Sequence, residues 1–320
     1  MTTQRDAATS PGRTPVSHVP VNVGRGLLMG AAEVVPGVSG GTIALITGVY
    51  ETLIGTAGHT VTALRHLVTG DVRGARREAA LGHWLVVVPL LLGTVVALVV
   101  GASVIEPLLE DHPVGSRAVF AGLVLASLAV PVLMVGRAWS AWLVLLGLVA
   151  AVAAFVLTGL PPGTTADPPL PVVTLAAAVA ICALVLPGVS GSFLLATVGL
   201  YEPTLTAVND RDLGYLAAFA LGAFVGLALF VRLLQHLLSV HRAVTLAVMT
   251  GLMAGSLRAL WPWQTESRDV LGPDGDLLPV LGLVLVGAAV VVVLLVVERA
   301  VGADPTARRG GEPAPDVAGR

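Results

Sequence analysis

Apolar residues in this chain come in long unbroken runs. "WLVVVPLLLGTVVALVVGASVI" (84–105) and "LPVLGLVLVGAAVVVVLLVV" (278–297) carry almost no charge, and about 20 such residues let a helix cross roughly 30 Å of hydrocarbon. Similar runs at 118–136, 139–160, 213–234 and 243–260 complete a set of predicted spans. Two further apolar regions, 24–56 and 172–206, are interrupted in the middle by Pro, Gly and Ser. Each half of the chain thus reads as one interrupted region followed by three spans, with a Pro-rich turn, "LPPGTTADPPLP", between the halves. The predicted units are a first repeat at 22–160, a connecting outer loop at 161–171 and a second repeat at 172–300. The polar ends, 1–21 and 301–320, predict disordered cytoplasmic tails, and no apolar segment before a cleavage site predicts a removable signal peptide.

Composition narrows the class. With 55% hydrophobic and 12% charged residues and a mean hydropathy of +0.89, a water-soluble globule of this size has too little polar surface to cover itself. The reading is an all-α polytopic membrane protein. The lone Cys182 excludes a disulfide within the chain and reads as a small packing residue. All 18 basic residues are arginine, which suits phosphate recognition and equally fits a codon bias. No nucleic-acid partner, cofactor or metal is predicted.

The interrupted regions repeat one another. "EVVPGVSGGTIALITGVYE" (33–51) matches "LVLPGVSGSFLLATVGLYE" (184–202) at an offset of 151. Farther on, "FAGLVLASL" (120–128) matches "MTGLMAGSL" (249–257) at an offset of 129, which also pairs Gly93 with Gly222. The change of offset places 22 extra residues in the first half, within the polar stretch at 59–83, an amphipathic interfacial segment or loop. Short cytoplasmic loops retain positive charge. Arg5, Arg13, Arg25, Arg65, Arg73, Arg76, Arg77, Arg137, Arg232, Arg242, Arg299, Arg308 and Arg309 assign their segments and both termini to the cytoplasm. The acidic connectors around Glu106, Asp167, Asp210 and Asp269 fall outside. Motif region one then begins and ends inside and motif region two begins and ends outside. The expected architecture is an inverted-topology repeat, each half a re-entrant or broken helix pair plus three transmembrane helices, the arrangement of alternating-access carriers.

Pro36-Gly37 and Pro187-Gly188 stop or bend a helix, at about 3 and about 1 kcal/mol relative to Ala. Backbone groups freed in hydrocarbon are tolerated only against protein or a water-lined cavity. Gly40, Gly41, Gly191 and the hydroxyls of Ser39, Thr42, Ser190 and Ser192 beside new helix starts form candidate anion cradles. Close packing of small residues is the structural alternative. Charges in apolar stretches face cavities more often than lipid. Glu33 has Leu184 as its counterpart, and this asymmetry makes it a candidate proton or cation site. Glu51 and Glu202 end the two motifs as gating or capping residues, and Arg258 in "GSLRALWPW" is a candidate phosphate partner or a snorkelling cation. No metal-ligand spacing, Walker loop or nucleophile elbow is present.

"MGAAEVVPGVSGGTIALITGVYE", "ICALVLPGVSGSFLLATVGLYEP" and "GLMAGSLRALWPW" resemble the signature stretches of the bacterial polyprenyl-phosphate (undecaprenyl-phosphate) translocase family, PopT, formerly a family of unknown function. The resemblance covers about 22 to 300. It implies a flippase, not an enzyme, of the bacterial plasma membrane that returns the lipid carrier of cell-wall (peptidoglycan) synthesis from the outer to the inner leaflet. Moving a phosphate head inward against the membrane potential is opposed, which makes proton or sodium coupling the expectation. The family usually has Asp where this chain has Glu33, so the carboxylate is kept and reaches one methylene farther. A membrane-embedded lipid-pyrophosphate phosphatase is the alternative, because that family carries a similar Pro-Gly-x-Ser turn; there the Ser is followed by Arg, and here by Gly40 and Gly191. A carrier of a small soluble anion is a further alternative.

Overall fold

In the computed structural model the described residues are 19–33, 39–265 and 267–302, with the side chains of 102–110 and 297–302 left aside. Most of the two predicted tails, and both Pro36 and Gly37, lie outside them. The helices are α1 (Val19–Glu33), α2 (Gly40–Ile46), α3 (Tyr50–Val68), α4 (Val72–Leu81), α5 (Trp84–Asp111), α6 (Pro113–Ser127), α7 (Ala129–Val135) and α8 (Ala141–Thr158). They continue as α9 (Leu170–Val185), α10 (Gly191–Thr197), α11 (Tyr201–Asn209), α12 (Leu213–Val240), α13 (Arg242–Ser256) and α14 (Leu277–Gly302). No strand occurs among the described residues, where an isolated antiparallel bridge joins Gln264 to Val270.

Local chemistry sets the ends. Pro113 opens α6 at a position where its missing N–H costs nothing. The Asp212 carboxylate accepts from Gly214 N at 2.9 Å and Tyr215 N at 3.1 Å to start α12. Among the described residues, six helical segments are long and apolar enough to cross a membrane: 84–101, 113–138, 141–158, 213–240, 242–260 and 277–296. They turn residues such as Val99, Leu229, Leu278 and Leu285 outward, a costly surface in water and the ordinary one in lipid. These features make the protein a multi-pass membrane protein.

The stretch at 59–83 folds as helix, not loop. α3 runs on to Val68, a turn follows, and α4 folds back along it. Asp71 caps α4 by accepting from Gly74 N at 2.8 Å, and the hairpin is tied by His59 Nδ1 to Glu78 at 2.9 Å and His66 Nδ1 to Asp71 at 3.0 Å. Its counterpart α11 has 9 residues against the 19 of α3, so the extra residues of the first half are accommodated here.

Four helix pairs form the frame: α1 with α5, α9 with α12, α6 with α14, and α8 with α13. Lipid gives helices no hydrophobic reason to associate, so close backbone approach carries the pairing. A methyl added to Gly26 would run into the Leu90 carbonyl, to Gly222 into that of Thr174, to Gly122 into that of Val284, and to Gly251 into that of Gly147. Gly122 and Gly251 correspond at the 129 offset, and each packs on a helix from the other half. Polar contacts reinforce two pairs: Thr94 Oγ1 donates to Gly26 O at 3.2 Å and Thr174 Oγ1 to Ala218 O at 3.1 Å. Cys182 joins the second of these, its Sγ lying 3.7 Å from Gly226 O. Between the pairs the main core gathers Leu45, Tyr50, Leu90, Leu234, Leu246 and Met253.

Overpacking should therefore be position-specific. Gly251→Val is expected to lower the thermal unfolding midpoint in detergent by the equivalent of about 1–3 kcal/mol or more, whereas Gly282→Val, where an added methyl meets nothing within 4 Å, leaves it unchanged.

Candidate functional site

The second helix break is described in full. α9 stops at Val185, Leu186 is extended, and Ser190 caps α10 by accepting from Phe193 N at 3.4 Å. Gly188 between them has φ +83°, and a methyl there would sit 2.6 Å from Met253 Cα of α13. Both the backbone angle and the neighbouring helix therefore require glycine.

Motif one folds alike where it is described. A methyl at Gly40 would meet Met29 O at 3.3 Å and Glu33 Oε1 at 2.7 Å, and one at Gly191 would meet Ala180 O at 2.7 Å and Leu184 Cβ at 3.3 Å. Positions 29 and 180, like 33 and 184, are related by the same 151 offset. The chemistry differs at one place: Gly40 N donates to the Glu33 carboxylate at 2.6 Å. Leu184 offers no such acceptor. Glu33 and Ser39 thus share the start of α2, where exposed N–H groups favour an acceptor oxygen.

The two motifs are joined through their polar groups. Tyr50 OH donates to Val185 O at 3.0 Å, and Thr42 Oγ1 accepts from Gly188 N at 3.1 Å. The Ser39 hydroxyl lies 3.2 Å from Leu186 O and 3.5 Å from Leu184 O, and accepts from Gly41 N at 3.1 Å. A methyl at Gly41 would be 3.0 Å from Val185 O, so glycine admits the approach. Ser39 and Thr42 are fully buried and Tyr50 is 4% exposed.

The remaining sequence-predicted residues divide by place. Ser190 and Ser192 hydroxyls are 2.9 Å apart, and Ser190 lines a cavity of about 100 Å³ closed by Gly188, Phe193, Thr158 and Leu252. Near the end of α8 the Arg258 guanidinium abuts Gly159 and lies 5.1 Å from the Phe155 ring centre. Its Nη2 donates to Arg268 O at 3.3 Å, while Nε and Nη1 are buried with no acceptor among the described residues. Glu202 lines a separate, larger cavity of about 540 Å³ with Gly163, Thr165 and Tyr201. Glu51 stands apart from all of these, in a half-exposed ion pair with Arg242 at 2.6 Å.

Sequence reasoning missed Tyr50 and Arg268. Tyr50 sits in the repeated "GVYE" and "GLYE", a signal that was present, yet its counterpart Tyr201 is 40% exposed. Arg268 lies in a polar loop, and its guanidinium stacks 3.9 Å over the Phe193 ring centre and donates to Leu160 O at 2.8 Å and Thr197 Oγ1 at 2.9 Å. Nothing in the string brings it to α10.

Comparison with known proteins places this arrangement. Residues 29–276 match the family model described as VCA0040-like, undecaprenyl phosphate translocase-like. The chain is 37% identical over 262 residues to the polyprenyl-phosphate transporter of Vibrio cholerae, covering 80% of this chain and 82% of that one. It is 25% identical over 263 residues to the polyprenyl-phosphate transporter of Staphylococcus aureus, covering 76% and 86%. No solved structure matches it significantly. These names are those of transporters and not of enzymes, and the matched region takes in both repeated motifs and the apolar spans from 84–101 to 242–260, with 277–296 just beyond it. The chain belongs to the undecaprenyl phosphate translocase-like family.

Proposed function

We propose that this protein carries polyprenyl phosphate from the outer to the inner leaflet of the bacterial cytoplasmic membrane, returning the lipid carrier used in cell-wall synthesis. The observation that carries the reading is the pair of repeated motifs joined through their polar groups in a helical membrane protein, in a chain similar to two polyprenyl-phosphate transporters.

An inverted-topology repeat with re-entrant motif regions is the architecture behind it, with both termini in the cytoplasm. Supporting this are the crosswise pairs α6 with α14 and α8 with α13 and the matching surroundings of Gly40 and Gly191. Alternating access then turns about the junction of the motifs. The phosphate head enters beside Ser190 and Ser192, at the break made by Pro187, Gly188 and Gly191, and Arg258 draws it there. The polyprenyl tail stays in lipid. As the halves rock, Ser39 and Thr42, with the Pro36, Gly37, Gly40 and Gly41 backbone, exchange motif two for the phosphate.

Energetics call for coupling. A phosphomonoester bears about −1.5 to −2 charges near neutrality, and moving it inward against the membrane potential costs about 2.3 kcal/mol per charge per 100 mV. Glu33, bonded to the start of α2, takes up the proton or sodium ion that offsets this charge. Glu51 and Glu202 act at the two mouths of the path. Phosphatase chemistry is opposed by packing, since even a methyl at Gly40 or Gly191 meets an oxygen at 2.7 Å, leaving no room for the arginine which that chemistry uses.

Vesicles holding the purified protein and a labelled polyprenyl phosphate test the proposal. Wild type should move the label between leaflets, and the Ser190→Ala/Ser192→Ala variant should do so roughly tenfold more slowly or worse, as expected for lost bonds to a charged group. Glu33→Gln should abolish the pH dependence of the rate. Transport no faster than in protein-free vesicles, with folded protein and an imposed proton gradient, overturns the transporter reading. An unchanged pH profile in Glu33→Gln overturns the coupling role alone.

A further inference from the structure

We infer that Arg258 and Arg268 together form a receptor for a dianionic phosphate monoester, and that this receptor selects such a head over the phosphodiester heads of bulk membrane lipids. The inference rests on the transporter reading and adds to it a second cation and a basis for selectivity.

Geometry brings the two arginines together. Arg258 sits against the end of α8, over Phe155, and its Nη2 is bonded to the backbone carbonyl of Arg268. Arg268 reaches back over Phe193 of α10 and ties Leu160 to Thr197. It does so from a backbone φ of +68°, a left-handed conformation that a bulky side chain rarely adopts. Such strain persists where the surroundings fix it, and it concentrates at ligand-binding positions. The loop that fixes it is closed by the Gln264 to Val270 bridge. Phe193 links the pair to the motif, because it also lines the small cavity with Ser190 and Gly188.

Among the described residues, charge is unbalanced here; Glu266 of the same loop lies outside them. α8 and α10 bring no titratable side chain, and α6 brings another cation, Arg117, which donates to Pro262 O of the same loop at 3.4 Å. Asp269 accepts from the Ser267 hydroxyl at 2.8 Å and from the Thr265 hydroxyl at 3.4 Å, and forms no ion pair with either arginine. Asp167 is exposed on the 159–169 connector and Glu202 lines the neighbouring cavity, and neither pairs with Arg258 or Arg268. Two like charges, one with two buried donors lacking an acceptor among the described residues, are an unfavourable arrangement that a shared anion relieves. Guanidinium forks match phosphate oxygens in pairs. A monoester offers three terminal oxygens and up to two negative charges, whereas a diester offers two oxygens and one charge. Two forks therefore favour the monoester.

Calorimetric binding to the full-length protein in lipid nanodiscs tests this, with a short-chain isoprenyl monophosphate, inorganic phosphate and the diester phosphatidylglycerol as probes. Wild type should bind the monophosphate about fourfold more tightly at pH 7.5 than at pH 5.5, following the dianion fraction of a phosphate that titrates near pH 6. Phosphatidylglycerol should bind roughly tenfold more weakly and without that gain. Arg268→Gln should bind the monophosphate roughly tenfold more weakly and lose the pH gain, Arg268→Lys should keep the gain, and Thr197→Val, which removes the strut but no charge, should keep it too. Inorganic phosphate binding as tightly as the isoprenyl probe retains the receptor but assigns it to free phosphate. If Arg268→Gln keeps wild-type affinity and pH gain, or if the diester binds as well as the monoester, Arg268 is only a loop strut and the transporter reading stands. If wild type neither binds the monophosphate nor translocates it, both readings fall.

Discussion

A helix that breaks in the packed interior of a protein must find partners for the backbone groups it frees, since each buried and unsatisfied one costs several kcal/mol. At the end of α9 the groups are the Val185 and Leu186 carbonyls and the Gly188 N–H. Tyr50, Ser39 and Thr42, all from the other half of the chain, supply the partners. Much else follows from this constraint. Gly41 is small because a side chain would intrude on the Val185 carbonyl, and Gly188 is glycine because α13 lies against it. The closely packed pairs α1 with α5 and α9 with α12 hold the helices that lead into the two breaks.

The junction is not reciprocal. Motif one places its side chains on the backbone of motif two, while the start of its own α2 is served locally by Glu33 and Ser39. Motif two keeps Ser190 and Ser192 bonded to each other, beside a small apolar cavity. The two similar motifs are thus built differently: one holds the carboxylate and the clasp, and the other holds paired hydroxyls on the helix whose Phe193 lies under Arg268.

Much of this was legible in the chain. The spans follow from length and apolarity, and the repeated Pro-Gly-Val-Ser-Gly follows from comparing the halves, because both are local properties. Which hydroxyl meets which carbonyl is not local: Ser39, a candidate cradle residue in the string, has carbonyl contacts about 145 positions away. Tyr50 and Tyr201 look equivalent in the string and differ in burial because only one faces the opposite motif. The stretch holding α4 reads as an amphipathic interfacial segment or a loop because Arg73, Arg76, Arg77 and Glu78 dominate it; the Asp71 cap and the packing on α3 decide for helix. Arg268 was hidden by its loop, whose path depends on Trp and Gln side chains bonding to backbone carbonyls.

The most direct test of the clasp is amide hydrogen exchange at Gly188 in lipid nanodiscs, for wild type and Thr42→Val. If the broken helix is completed by the other half, the Gly188 amide is protected in wild type and exchanges roughly fivefold faster or more once its acceptor is removed, as the loss of one buried hydrogen bond implies. Equal exchange in the two proteins would mean that Thr42 does not hold the break, and the structure would need another account of what joins its halves.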